Sequence, residues 1–103
     1  MRTIEIAGVA HPFKYGFGAM LYAEEVLEKS WADIDRKTLK AQMALMAGCF
    51  FNGDENFPYN WYSLMEECDK DPSLWARMNE ELFAQSELFG KPSRDDEDDK
   101  KKG

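Results

Sequence analysis

Histidine and serine are the residues in this sequence that could support metal-binding or nucleophilic chemistry, and neither occurs in a pattern that does so. His11 is the single histidine, and the chain has no HxxxH, HExxH or Cys/His spacing that would bind a metal. Because it directly precedes Pro12 in the stretch AGVAHP, we expect His11 to be a solvent-exposed turn residue. No serine stands in a GxSxG setting, and no glycine-rich stretch continues into the Lys-Ser/Thr of a phosphate-binding loop.

Three pairs of adjacent glutamates offer another route to catalysis, since two carboxylates can act together as acid and base. The pairs are Glu24–Glu25, Glu66–Glu67 and Glu80–Glu81. Neighbouring side chains on a helix point about 100° apart, so the two carboxylates of a pair do not converge on one site. We therefore expect solvated helix faces and a protein that is not an enzyme, with no catalytic residue, no bound metal and no cofactor.

The N-terminal residues predict a β-hairpin that leads into a helix. Apolar residues alternate in TIEI (residues 3–6) and again from Phe13 to Phe17, which indicates two strands joined by a short turn. The first helix is predicted from Gly18. It has an apolar face formed by Met20, Ala23 and Leu27 and an acidic face formed by Glu24, Glu25 and Glu28.

Three further helices are predicted in the rest of the chain. The second starts after Asp35, as its N-cap, and ends at Gly53, while the fourth starts at Asp71-Pro72 and ends at Gly90. The third lies between them, after the loop NGDENFP. The residues that repeat at helical spacing are Leu39, Met43, Met46 and Phe50, then Trp61, Leu64, Met65 and Cys68, and finally Trp75, Met78, Leu82 and Phe89.

These elements predict an α+β fold, with an N-terminal β-hairpin followed by about four α-helices in a small bundle. Residues 1–90 form the single domain, because 103 residues leave no room for two. Residues 91–103 contain Pro92 as their only apolar side chain, so we expect a disordered, charged tail. The tail has five basic and five acidic residues, so the formal charge of −7 belongs to residues 1–90.

The acidic balance excludes several classes of partner. Nucleic acids and anionic membrane surfaces attract clustered Lys and Arg, whereas this chain has 13 basic against 20 acidic residues. The longest uncharged run, Ala41–Gly53, is too short to span a membrane, and the N-terminus lacks the apolar segment of a signal peptide. We expect a soluble, intracellular protein. Cys49 and Cys68 form either one disulfide or two free thiols, and free thiols are the commoner case in a cytosolic chain.

The apolar residues are the most informative part of the composition. Five of the six methionines lie on helical apolar stripes, and flexible Met-rich surfaces suit partners of variable shape. Either all of these residues fill the core, or the surplus forms a protein-binding or self-association surface. The candidate contact residues are Met43, Met46, Phe50, Trp61, Met65 and Trp75.

The junction between the hairpin and the first helix resembles the tail assembly chaperones of long-tailed bacteriophages and prophages. The resemblance spans about residues 3–89 and includes the segment ALMAGCF and the Asp71-Pro72 helix start. The matching positions at the junction are Ile4, Ile6 and Gly8, then Phe13, Tyr15 and Phe17, and then Ala19, Leu21, Glu24, Glu25 and Leu27.

The resemblance implies a non-enzymatic protein that binds the hydrophobic tape measure protein and keeps it soluble, and that helps to recruit tail tube subunits. It also implies location in the cytoplasm of the bacterial host, absence from the mature virion, and a second, longer form made by ribosomal frameshifting. Two other functions remain open. One is a structural head–tail connector or tail-completion protein retained in the virion; the other is an acidic regulator that mimics DNA.

Overall fold

The structure is a computed structural model that describes residues 2–89, with the side chain of Phe89 excepted. It confirms the expected order of an antiparallel hairpin followed by four helices. The predicted disordered tail of residues 91–103 lies outside the described residues. The elements are strands β1 (Thr3–Ile6) and β2 (Val9–Pro12) and helices α1 (Phe17–Leu27), α2 (Leu39–Gly53), α3 (Trp61–Lys70) and α4 (Pro72–Phe89), with a short 3₁₀ turn at Trp31–Asp33.

The second strand lies earlier in the chain than the alternation of Phe13 to Phe17 predicted. The turn consists of Ala7 and Gly8, which both have positive φ (51° and 84°). Two such residues form the compact turn that suits the twist of a hairpin. The turn fixes the pairing so that Ile6 faces Val9 and places β2 at Val9–Pro12. The predicted strand was wrong because its alternation belongs to the segment that connects β2 with α1.

His11 lies in β2 and is buried, which corrects the expectation of an exposed turn residue. It pairs with Ile4 across the hairpin, and directly paired side chains share one face of a sheet. That face is turned towards the core, so only 8% of His11 is exposed. The imidazole ring makes edge contacts with the rings of Phe50, Phe57 and Tyr59, at centroid distances of 6.3, 5.1 and 6.2 Å.

Helix starts are set by side chains that accept backbone N–H groups. At α2 this residue is Thr38, whose hydroxyl accepts the N–H of Ala41 at 3.2 Å, and not Asp35 as predicted. Asp35 instead accepts the N–H of Lys37 in the preceding turn, which delays the helix by three residues. At α4 the prediction is confirmed, because Asp71 accepts the N–H of Ser73 at 3.2 Å.

Helix α2 is the centre of the fold and packs against α1, α3 and β2, while α4 packs against α3 and β1. Each large apolar side chain of α2 that is buried in these contacts stabilises the fold by about 1.5–3 kcal/mol. The main core cluster also contains both hairpin isoleucines. Its other large, fully buried members are Phe13, Met43, Met46, Phe50, Leu64, Leu74 and Met78.

Gln85 on α4 joins the last helix to the connecting segment after β2. Its side-chain oxygen accepts the N–H of Tyr15 at 2.8 Å, and its side-chain nitrogen donates to the carbonyl of Phe13, also at 2.8 Å. The same nitrogen donates to Glu81, whose other carboxylate oxygen pairs with Arg2 at 2.9 Å. Besides these side-chain bonds, the N–H groups of Phe13 and Lys14 donate to the carbonyls of Arg2 and Cys49, both at 2.9 Å, so side-chain and backbone hydrogen bonds together hold the segment.

Candidate protein-binding surface

The six predicted contact residues divide into two groups. Met43, Met46 and Phe50 are at most 1% exposed and lie in the main core cluster, so a partner at the surface of this fold does not reach them. The prediction that they form a contact surface is corrected here: they face α1, α3 and the hairpin, because α2 is covered on several sides. Their function is to hold the elements together.

The other three predicted residues lie at the edge of the core. Trp61 and Met65 on α3 and Trp75 on α4 are partly buried and pack against the main cluster. The ammonium group of Lys40 lies 5.1 Å from the centre of the Trp61 ring, in the geometry of a cation–π contact. These three residues keep one side on the core and stay candidates for contact with a partner.

An apolar groove lies on α1, where sequence analysis did not place a site. It is open to solvent, has a volume of about 410 Å³ and is lined by Phe17, Met20, Leu21, Glu24 and Trp31. Leu21 is 56% exposed and Phe17 is 75% exposed. We call these five residues the α1 surface.

Small residues explain why the large side chains of α1 point outwards. Helix α1 approaches α2 through Ala19 and Ala23, which are fully buried. The approach is so close that a Cβ atom on Gly48 would lie 2.5 Å from the carbonyl oxygen of Ala19. At the contact between Ala19 and Gly48 there is no space for a larger side chain. The larger Tyr22 meets α2 beside this contact, where its ring stacks on Phe51, and Phe17 and Leu21 lie on the exposed side of α1.

Trp31 completes the groove because its position is fixed by three contacts. Its backbone N–H donates to the carboxylate of Glu24, which links the 3₁₀ turn to α1. Its ring packs against the small second cluster that contains Ala23 and Ile34. The guanidinium of Arg36 lies 5.2 Å from the ring centre, so this cation is engaged with the indole.

The C-terminal end of α1 is acidic. Glu24, Glu25 and Glu28 follow the apolar residues, and α1 contains no Lys or Arg. Within residues 2–89 none of these three carboxylates takes part in an ion pair. Glu28 also adopts a left-handed conformation (φ 56°) that favours glycine. The surface is thus apolar at one end and negatively charged at the other.

Both cysteines are free thiols, as predicted. Burial raises the pKa of the Cys49 thiol well above its usual range. Burial, and then the nearby carboxylates of Asp69, Asp71 and Glu67, raise the pKa of Cys68 to about 11. Since the thiolate is the reactive form, both groups are unreactive near neutral pH.

Other features that would indicate chemistry do not occur among the described residues. No three His, Cys, Asp or Glu side chains in residues 2–89 are placed to hold a metal ion. In the same part of the chain, no helix combines the length and hydropathy needed to cross a bilayer.

The sequence contained a signal for the α1 surface that periodicity did not use. Ala19 and Ala23 are four residues apart, as small residues are where two helices approach closely. Periodicity assigned Met20, Ala23 and Leu27 to the buried face because it weighs hydrophobicity and not size.

Comparison of the chain with models of protein families, with curated proteins and with solved structures gives no match.

Proposed function

We propose that this protein is a non-enzymatic tail assembly chaperone of a long-tailed bacteriophage, which binds the tape measure protein and keeps it soluble during assembly. The observation that carries the proposal is the α1 surface: an open apolar groove beside three carboxylates that form no ion pair within residues 2–89. Contiguous exposed apolar surface is typical of protein-binding sites. The resemblance of the hairpin-to-helix junction indicates which partner to test.

Net charge supports this function from a second direction. A protein that holds an apolar client must itself resist association, and a charge of −7 makes copies of the domain repel each other. The main core cluster does not depend on the α1 surface, because none of the large buried side chains of that cluster belongs to the α1 surface. The protein can therefore release a client without losing its own structure.

The proposal has consequences for location and partners. The protein acts in the cytoplasm of the bacterial host, binds the tape measure protein, helps to recruit the major tail tube protein, and leaves before the virion is complete. Mass spectrometry of purified virions tests the last point. Recovery of this chain in stoichiometric amounts would favour the alternative of a head–tail connector or tail-completion protein.

The decisive experiment is co-expression with the tape measure protein, scored by the soluble fraction and by co-purification. We expect the client to be insoluble alone and soluble in complex. Leu21→Asp should abolish the effect, because it places a charge in the apolar groove. Leu39→Asp is the matched control, since Leu39 is also 56% exposed, starts α2 and does not line the groove. A client that precipitates with the wild-type protein present would refute the proposal.

A further inference from the structure

We propose that the α1 surface binds one kind of segment: an amphipathic helix that lies antiparallel to α1, with Lys or Arg in its first turns and apolar residues after them. This inference rests on the proposed function and specifies the client segment that the surface selects. It combines two properties of one surface, its apolar groove and the charge at one end of it.

The apolar end sets the shape of the ligand. Met20, Leu21 and Trp31 lie on two sides of a groove of about 410 Å³, which accommodates large side chains spaced one helical turn apart. An extended strand would need an open sheet edge, and α1 offers no backbone donors or acceptors along its length. A helix with an apolar stripe is the ligand that fits a helical surface of this kind.

The acidic end sets the charge of the ligand. Glu25 and Glu28 are exposed and form no ion pair within residues 2–89. The guanidinium of Arg36 is stacked on Trp31, and Lys29, which follows Glu28 in the chain, forms no ion pair within residues 2–89. Basic residues of a partner would therefore meet carboxylates that no described side chain neutralises, and complementary charge at the edge of an interface chiefly speeds association and fixes register.

Helix dipoles set the direction. The C-terminal end of α1 has a partial negative charge, to which the three glutamates add. The N-terminus of a partner helix has a partial positive charge and is stabilised at that end. Antiparallel packing thus brings the partner's N-terminus and its first basic residues over Glu25 and Glu28, and its later apolar residues over Leu21.

A second copy of the chain does not fit this surface. In an antiparallel pair of α1 helices, the acidic end of each copy would cover the apolar end of the other. In a parallel pair the glutamates would face each other.

The test uses two fluorescently labelled helical peptides of about 20 residues and the full-length protein, with binding followed by anisotropy. Both peptides have the same composition and the same apolar stripe. One has three lysines in its first two turns, and the other has them in its last two turns. We expect the basic-first peptide to bind about tenfold more tightly, which corresponds to about 1.4 kcal/mol, although lysines near its own N-terminus make it the less stable helix when free.

Two variants locate the effect. Glu25→Lys/Glu28→Lys should remove the preference between the peptides, and it adds basic residues at the end of α1, where they stabilise the helix, so loss of folding does not explain the result. Glu80→Lys on α4 reverses an exposed charge elsewhere and should leave the preference unchanged. Leu21→Asp should weaken the binding of both peptides.

The outcomes separate this inference from the proposed function. Equal binding of the two peptides, or a preference that survives Glu25→Lys/Glu28→Lys, overturns the inference even if the protein keeps the tape measure protein soluble. If the peptides are discriminated as expected but the tape measure protein precipitates, the inference stands and the proposed client is wrong. If Leu21→Asp changes the affinity for neither peptide, the peptides bind elsewhere and the assignment of the α1 surface as their binding site is wrong.

Discussion

Helices α1 and α2 contain similar apolar residues and use them in opposite ways. Helix α2 buries Met43, Met46 and Phe50 completely, whereas α1 buries Ala19 and exposes Leu21. The difference arises where the two helices come closest, since a Cβ atom on Gly48 of α2 would lie 2.5 Å from the carbonyl oxygen of Ala19 on α1. Residue size at a contact therefore decides which face of a helix is core, and hydrophobicity alone does not.

The sharpest test of this contrast is to truncate one large apolar residue on each helix. Phe50→Ala should lower the free energy of unfolding by about 3–5 kcal/mol, because it leaves a cavity between two aromatic rings. The ring centroids of Phe13 and Phe57 lie 4.9 and 4.4 Å from that of Phe50. Leu21→Ala should change it by less than about 0.5 kcal/mol. Urea denaturation measures both. Similar losses for the two variants would mean that α1 packs its large residues inwards.

The close approach itself is tested by Gly48→Ala. In an open helix this change would stabilise the protein by up to about 1 kcal/mol through helix propensity. Here we expect a loss of about 1–3 kcal/mol, since the new methyl group would meet the backbone of Ala19, which cannot move aside. Gly18→Ala is the control, because the three heavy atoms nearest to its new methyl group all belong to the side chain of Asn52 and not to backbone. A stabilised Gly48→Ala protein would contradict the packing.

At the C-terminal end of α1, a substitution should raise the free energy of unfolding instead of lowering it. Glu28→Gly relieves the left-handed conformation and removes a negative charge from the helix C-terminus, so we expect a gain of about 0.5–1 kcal/mol. Glu25→Gly, inside the same helix, should cost about 1 kcal/mol. Thermal unfolding of both proteins measures the difference. A loss at both positions would show that Glu28 makes a stabilising contact that outweighs the strain.

A smaller effect is expected at Asp71, which lies at the start of α4. Hydrogen bonds from Ser73, and then the nearby Arg77, hold the pKa of Asp71 below its usual 3.8. A lowered pKa in the folded state means that this contribution to stability is present above pH 3.8 and is lost as the pH falls through the lower, folded value. Asp71→Asn should therefore make the stability profile flatter below about pH 4. If urea titrations show the same dependence of unfolding free energy on pH below about pH 4 in the wild-type protein and in Asp71→Asn, this assignment is contradicted.

Local sequence signals predicted the elements well and their contacts less well. The four helices were found because apolar spacing and cap residues such as Asp71 act within one or two turns. The second strand was misplaced because positive φ at Ala7 is not expected of alanine, and His11 was misplaced with it. The same limit applies to the contact surface: Met43 and Leu21 are both apolar, and only the partner across each helix determines which one is exposed.

The side chain of Gln85 has a consequence for the order in which the molecule folds. Its hydrogen bonds to Tyr15 and Phe13 join residues 70 and 72 positions apart, whereas α1 and α2 are separated only by residues 28–38, which contain the 3₁₀ turn. Contacts between residues close in sequence form first, since they close shorter loops. We therefore expect the α1–α2 contacts to form earlier in folding than the hydrogen bonds of Gln85. On that order, the α1 surface that we propose as the binding site forms before α4 is joined to the N-terminal segment.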